Sequence, residues 1–339
     1  MTENTLIIES TDKKKPLLSD YSDTSIVHCR NSLILQKALG ADLIEGQYKL
    51  PEILKKKYDV IICCYASPYA PNIPYREILH KNPDARLIWL VNDHDLEDNQ
   101  LLRYAIMDLG RTYDMICNNP RKGYRHWILG KKIKDGEGNV VGKLNQYIIN
   151  WLTTNLNSLI MDRSSINDYD GEKDGIIYYG TFRKWRADHF AHHLQEGVTC
   201  SSSKKHWKKF DAIDCKCSMI NKLSWAKGEE DLRKYKYSLY IEDIHTHENF
   251  AFLANRYYEA LMCGVVVLFD HHCKNTIEKS KYIIPDEFVI PEDSNIAEYS
   301  STLDYKKMLE IQNQNINTTF KDKENCIQSI KDFTYFALH

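Results

Sequence analysis

The sequence predicts an α/β protein built from two doubly wound parallel-sheet domains, on three observations. Short continuous apolar runs alternate with helix-like stretches in the first part of the chain, and the same rhythm resumes after Gly175. Between them lies Asp162 to Gly175, rich in Ser, Asp, Asn and Gly and nearly free of large aliphatics, which reads as a linker. Strands covered on both faces read as unbroken apolar runs, and their alternation with helices implies parallel βαβ winding. A chain of 339 residues with 43% hydrophobic content can bury two cores of ordinary size.

The elements follow in order. Leu6-Ile7-Ile8 is a short strand, Ser25 to Leu39 a helix closed by Gly40, and Asp59 to Tyr65 a buried strand. After a turn containing Pro68, Pro71 and Pro74, Tyr75 to His80 is helical and Arg86 to Val91 is a strand. Asn99 to Leu109 gives the next helix and Tyr113 to Cys117 the next strand. Gly136-Glu137-Gly138-Asn139 marks a hairpin turn, and Trp127 to Asn145 reads as an insertion. Beyond the linker come a strand at Ile176 to Gly180, a helix near Ala187 to Gln195, and a strand at Ser238 to Ile244. A helix from Asn249 to Cys263 then leads into the strand Val265 to Asp270. The polar tail from Leu303 to Leu338 is helical in pattern. The expected domains are thus 1–161, a linker 162–175, a second domain 176–302, and a helical segment 303–339 that packs back across both.

A formal charge of -2 gives no general attraction to nucleic acid, so any polyanion site must be a local patch. No run approaches the roughly 20 apolar residues that span a bilayer. Met1-Thr2-Glu3-Asn4 lacks the basic-then-apolar pattern of a signal peptide, so a cytoplasmic protein without membrane contact is expected. Ten scattered cysteines, several inside apolar runs, predict buried thiols rather than disulfides. Cys215-Lys216-Cys217 and His271-His272-Cys273 carry metal-ligand residue types, but their spacings fit neither a zinc finger nor a ribbon. They read as loop and strand-end residues, and no metal ligands are assigned.

Two segments carry chemistry. Arg256 and Glu259 stand three residues apart on one helical face, away from an apolar face made by Phe250, Leu253, Ala254, Tyr257, Tyr258 and Leu261. A guanidinium there can meet diphosphate oxygens and a carboxylate can accept from ribose hydroxyls, although the same spacing also makes an ordinary surface pair. Tyr179-Gly180-Thr181-Phe182-Arg183-Lys184-Trp185-Arg186 leads from a strand into a helix. Gly180 lets backbone amides approach an anion, Thr181 adds a hydroxyl, and Arg183 and Arg186 add positive potential at a helix N-terminus; the alternative is a solvated basic turn. Taken together, the two segments favour a binding site. Lys204 to Lys209, around Trp207, is either a solvated helix start or a clamp on a phosphate backbone, and the solvated reading is preferred. Arg121, Lys122 and Arg125, close to Tyr124 and Trp127, form a second basic aromatic patch.

The pair of motifs Tyr179-Gly180-Thr181-Phe182-Arg183 and Asn249-Phe250 with Arg256-Tyr257-Tyr258-Glu259 resembles the donor site of GT-B glycosyltransferases, and more narrowly the T-even phage DNA β-glucosyltransferase family. Arg86 to Val91 followed by Asn92-Asp93 is similar to that family's strand ending in a catalytic aspartate. The resemblance implies two Rossmann-like domains with parallel sheets facing a central cleft, the acceptor side in the first half. It implies inverting transfer of a sugar from a UDP-sugar to the hydroxymethyl group of a modified pyrimidine, such as 5-hydroxymethylcytosine, in phage DNA. Asp93 becomes the general base, with Asp95 as the alternative; read locally, either residue also suits a helix cap. Gly180, Thr181, Arg183, Arg186, Arg256 and Glu259 become the donor contacts, and Arg121, Lys122 and Arg125 the acceptor contacts. The family sets its second phosphate arginine one residue beyond Arg186, and its sugar-binding carboxylate on an N-terminal helix is replaced near Asp23 to Arg30 by Asp23 or His28. The sugar itself is therefore left open, glucose, arabinose or another. No cofactor is required, and Mg2+ assisting product release is compatible with this scheme. The expected partner is double-stranded DNA, met by a monomer in the infected host cell cytoplasm. A polysaccharide, lipid-linked sugar or protein acceptor is the alternative, since the donor motifs do not name the acceptor.

Overall fold

The computed structural model describes residues 4–9, 35–36, 38–45, 50–63, 74–90, 104–105, 109, 111–117, 132–134, 140–148, 171–223, 232–244, 247, 253–280, 282–319 and 323–335. The chain forms two compact units, Met1–Ile160 together with Asp322–His339, and Met161–Lys321.

The first unit is built on seven strands: β1 (Thr5–Glu9), β2 (Asp42–Glu45), β3 (Val60–Cys63), β4 (Arg86–Leu90), β5 (Thr112–Cys117), β6 (Lys132–Lys134) and β7 (Val140–Ile148). Their order is β2-β1-β3-β4-β5-β7-β6. All neighbours pair parallel except β6 with β7. Leu6, Ile7, Val60 and Ile61 are wholly buried, as continuous apolar strands in a covered parallel sheet must be. Gly40 takes φ +64° just after the helical residues Ala38 and Leu39, the left-handed position that ends a helix most easily in glycine. Helix α1 (Tyr75–Lys81) connects β3 to β4 and buries Ile78 and Leu79.

The hairpin is not an insertion. β7 runs nine residues, far beyond its three-residue partner β6, and Lys143 to Ile148 continue the main sheet in parallel register with β5.

The second unit holds β8 (Ile176–Tyr179), β9 (Val198–Ser201), β10 (Ser218–Ile220), β11 (Tyr237–Tyr240) and β12 (Val266–Phe269) in the order β10-β9-β8-β11-β12, all parallel. Helices α2 (Ala187–His193) and α3 (Lys204–Asp211) follow β8 and β9, α4 (Asn255–Met262) leads into β12, and α5 (Lys274–Ser280) follows it. The basic segment Lys204 to Lys209 therefore lies in α3, where His206 and Phe210 face inward and the lysines outward. The end of the Ser/Asp/Asn/Gly-rich stretch is fixed to this unit: Asp174 N–H donates to the Lys234 carbonyl at 2.7 Å, and Lys173 Nζ to that of Cys263 at 2.9 Å.

The tail divides into α6 (Tyr305–Thr319), within the second unit, and α7 (Lys323–Tyr335), within the first. On α6, Gln312 accepts from Val267 N–H and donates to the Val265 carbonyl, both at 2.9 Å, and so satisfies the open edge of β12 as a strand would. On α7, the Thr334 carbonyl accepts from Arg86 at 2.6 Å and the Tyr335 hydroxyl bonds the Thr5 hydroxyl at 2.9 Å, while Cys326 and Ile330 are buried. Among the described residues no helix is long and apolar enough to cross a membrane, and Cys200, Cys215, Cys217 and Cys273 are thiols outside any disulfide.

Candidate functional site

In the second sheet the strand order reverses at β8 and β11: the chain winds from β8 outward through β9 to β10, then returns to place β11 on the other side of β8. The segments leaving the C-terminal ends of such a strand pair diverge and open a crevice, where open α/β sheets bind ligands. Gly180 to Arg186 leaves β8 there, and Ile241 to Asp243 leaves β11.

Both segments, and α4, bring charge to this point. The Arg186 guanidinium donates to Glu242 Oε2 at 2.5 Å and twice to Asp243 Oδ2 at 3.1 Å. Arg256 bonds Glu242 Oε1 and the Ile241 carbonyl, the latter at 2.7 Å, and lies 4.8 Å from the centroid of the Tyr240 ring. A single carboxylate, 2% exposed, thus bridges the two arginines. Burial opposes the charge on Arg256, but Glu242 together with Tyr178, Tyr240 and Tyr179 outweighs it and raises its pKa. The Trp185 indole N–H donates to Asp243 at 2.8 Å. Trp185 and Ile244 are both exposed, at 63% and 71%, so large apolar groups border the buried charges.

Local packing explains the loop. The N–H of Gly180 donates to the Ser201 carbonyl at 3.1 Å, extending the β8–β9 ladder. A Cβ at Gly180 would stand 2.8 Å from the Tyr178 hydroxyl, so a close approach rather than a positive φ requires glycine here. Among the described residues that buried hydroxyl has no hydrogen-bond partner, and burial raises its pKa. Arg256 Nε likewise lacks a partner.

Helix α4 begins at Asn255, not Asn249. Ala254 is extended, because its N–H is held by the Tyr240 hydroxyl at 2.7 Å, and its carbonyl starts the helix by accepting from Tyr257. Glu259, expected on an outward face, is 4% exposed. Burial pushes its pKa up to about 8, against the opposing influence of Arg256 and a hydrogen bond with Tyr179. The Tyr179 hydroxyl also donates to the Arg256 carbonyl at 2.6 Å, tying β8 to the start of α4.

Of the expected donor residues, Arg186 and Arg256 are thus brought together, with Glu259 one turn along the same helix as Arg256. Thr181 and Arg183 are exposed on the loop, and Arg183 lies 5.9 Å from the Trp185 ring centroid. Asp93, Asp95, Arg121, Lys122 and Arg125 lie outside the described residues, as do Asp23, His28 and Asn249-Phe250. Sequence reasoning missed Glu242, Asp243, Trp185 and Tyr178. The signal available was the acidic pair directly after the apolar run Tyr237 to Ile241, at a strand's C-terminal end.

No protein-family model and no curated protein matches the chain. Solved structures do. T4 phage β-glucosyltransferase, determined for its substrate binding and proposed catalytic mechanism, aligns at TM-score 0.63 and 16% identity over 97% of this chain and 99% of that one. The same phage enzyme in complex with UDP and Mn2+ gives TM-score 0.60 at 15% identity, again over 97% and 99%. An α-glucosyltransferase in complex with UDP-glucose and DNA containing an abasic site gives 0.52 at 10% identity, over 99% and 98%. The fold is therefore of the GT-B class, with two α/β units each carrying a predominantly parallel sheet.

Proposed function

We propose that the chain is an inverting glycosyltransferase moving a sugar from a UDP-sugar to the hydroxymethyl group of a modified pyrimidine, 5-hydroxymethylcytosine or a relative, in double-stranded DNA. The observation that carries the reading is the convergence of Arg186 and Arg256 at the strand-order reversal of the second sheet, with Glu242 between them. Two guanidiniums offer paired N–H donors to a diphosphate and stabilise the charge that grows on departing UDP. Arg183, exposed on the same loop, adds a cation on the solvent side. Glu259, whose pKa burial raises to about 8, stands one turn from Arg256 to pair with ribose hydroxyls.

Asp93, three residues beyond the end of β4, is the general base. It takes the proton from the acceptor hydroxyl as that oxygen attacks the anomeric carbon and the bond to the UDP oxygen breaks. Arg121, Lys122 and Arg125 contact DNA phosphates. The likeness to a phage β-glucosyltransferase solved with UDP and to an α-glucosyltransferase solved with UDP-glucose and DNA supports the choice of donor and acceptor. The arginines neutralise the leaving group without a metal, and Mg2+ acting on the released UDP is compatible with that.

The test is incubation of the protein with hydroxymethylcytosine DNA and a panel of UDP-sugars, followed by nuclease digestion and nucleoside mass measurement. A nucleoside heavier by one sugar residue is expected with one donor. An unmodified digest with every donor rejects the DNA acceptor. Asp93→Ala is expected to abolish transfer while UDP still binds, and unchanged transfer removes Asp93 as the base.

A further inference from the structure

A second cluster of chemistry-bearing side chains lies at the neighbouring strand exit, where β12 ends beside β11. Asp270, 1% exposed, is the first residue after the strand. Its Oδ1 accepts from the backbone N–H of His272 at 2.9 Å and stands 3.0 Å from His272 Nδ1. Its Oδ2 stands 3.0 Å from Nδ1 of His189, which comes from α2. The three donor atoms all lie within 4.8 Å of one another. The rings of His189 and His272 meet edge to face, at 89° with centroids 4.6 Å apart.

We propose that His189, Asp270 and His272 form a binding site for a divalent transition ion of Zn2+ character. Tetrahedral nitrogen-to-metal and oxygen-to-metal bonds of roughly 2.0–2.2 Å set donor atoms about 3.5 Å apart, so donors now spread over as much as 4.8 Å close by about 1 Å as the ion binds. Two imidazoles and one carboxylate suit Zn2+ and its first-row neighbours, whereas Mg2+ prefers an all-oxygen shell. His193 supplies the outer support such sites use: wholly buried, it holds Asp270 Oδ2 through Nε2 at 2.9 Å and fixes the carboxylate's orientation. His272 is 52% exposed on its side chain, which leaves the ion a path from solvent and a fourth position for water. The bound ion clasps α2, the helix that follows the Gly180 to Arg186 loop, to the end of β12. His271-His272-Cys273 was unreadable as a site in the sequence because the ligand from α2 stands more than eighty residues away.

The test uses the full chain, dialysed against a chelator and then titrated with Zn2+ by calorimetry and with Co2+ by visible absorption. One ion per chain is expected, with Co2+ giving a four- or five-coordinate d–d spectrum, and with Mg2+ failing to compete. His272→Ala, at a half-exposed ring, and His189→Ala are each expected to raise the Zn2+ Kd more than about 100-fold, since even outer-shell changes at metal sites cost 10–100-fold. Far-ultraviolet circular dichroism checks that each variant is folded, and His271→Ala is expected to bind like the unmodified chain. Absence of stoichiometric Zn2+ and Co2+ binding, or equal binding by the folded His272→Ala chain, overturns the proposal and leaves a purely hydrogen-bonded His–Asp–His cluster. Loss of binding in His271→Ala with retention in His272→Ala overturns the ligand assignment.

Discussion

Glu242→Gln separates what the arginine cluster does for the fold from what it does for a ligand. In the free protein Glu242 bonds Arg186 through one carboxylate oxygen and Arg256 through the other, and all three side chains are at least 86% buried. Removing one partner of a buried ion pair costs about 3–5 kcal/mol when the other is left uncompensated. Here the loss is partial, because Arg186 keeps Asp243, and Arg256 keeps the Ile241 carbonyl and the Tyr240 ring. An expected destabilisation of about 2–3 kcal/mol, comparable to losing one or two hydrogen bonds to charged groups, lowers Tm by roughly 4–12 °C for a domain of this size. A diphosphate reverses the balance. It supplies the negative charge that both guanidiniums lack in the variant, and it no longer competes with Glu242. The UDP Kd is therefore expected to fall roughly tenfold, equivalent to about 1.4 kcal/mol, and saturating UDP to recover about half to two-thirds of the Tm difference. Scanning calorimetry with and without UDP, and isothermal titration of both proteins, read the two effects. If the Tm gap is as wide with saturating UDP as without it, and UDP affinity does not rise, the arginines do not receive the diphosphate.

Three further outcomes follow from the same geometry. Glu259, with its folded pKa raised to about 8, binds a proton that the unfolded chain has released, so its contribution is full below the ordinary carboxylate range and is lost as pH rises through about 8. At about 1.4 kcal/mol per pH unit the loss has a ceiling of about 5 kcal/mol; Glu259→Gln is expected to flatten the fall in Tm between about pH 4 and about pH 9, the window that spans the shift from 4.5 to about 8, and an unchanged difference between the two proteins across that range refutes the protonation. Tyr178→Phe removes a buried hydroxyl that has no partner and is expected to stabilise by about 1 kcal/mol. Gly180→Ala, with its Cβ 2.8 Å from that hydroxyl, is expected to destabilise less in the Tyr178→Phe background, and urea unfolding of the four proteins measures the coupling. Deleting residues 322–339 takes away α7, uncovers the core around Cys326 and Ile330 and removes the Thr334 acceptor of Arg86. Rapid proteolysis of the first unit is expected, and a truncated chain as resistant as the full one argues against α7 as part of that core.

The parallel strands were legible because burial on both faces leaves an unbroken apolar signature: β1, β3, β4, β8 and β12 all stand where Leu6, Val60, Leu87, Ile177 and Val266 predict them. Where a strand is short and mixed, that signature fails. β9 is Val-Thr-Cys-Ser and β10 is Ser-Met-Ile, each specified by its neighbours rather than by its own composition. The hairpin misled because a turn signal is local, whereas the pairing of β7 with β5 is a tertiary fact. Helix periodicity assigned α4's apolar face, but it carries no information about a second covering layer, so the burial of Glu259 was invisible. Arg186 and Arg256 were readable as cations near strand ends. Their common partner was not, because an acidic pair after a strand is ordinary until the sheet order sets it beside another strand's exit.

The concentration of charge at that exit is costly for the fold. Glu242, Asp243 and Glu259 are 2%, 4% and 4% exposed, and buried ion pairs seldom stabilise more than apolar side chains of similar volume. The cluster is also incompletely satisfied, with Arg256 Nε and the neighbouring Tyr178 hydroxyl both lacking partners. A sequence selected only for stability has no reason to retain this arrangement at one end of an otherwise apolar sheet, where Leu239, Val266 and Leu268 show how readily apolar packing is achieved a few residues away. A ligand with two adjacent negative charges and several acceptor oxygens supplies the reason. On the proposed reading it satisfies both guanidiniums and displaces the carboxylate that holds them in its absence. The same carboxylate keeps the two arginines aligned while the site is free, so the donor meets a preorganised pair, and the tether's strength sets how readily the diphosphate replaces it.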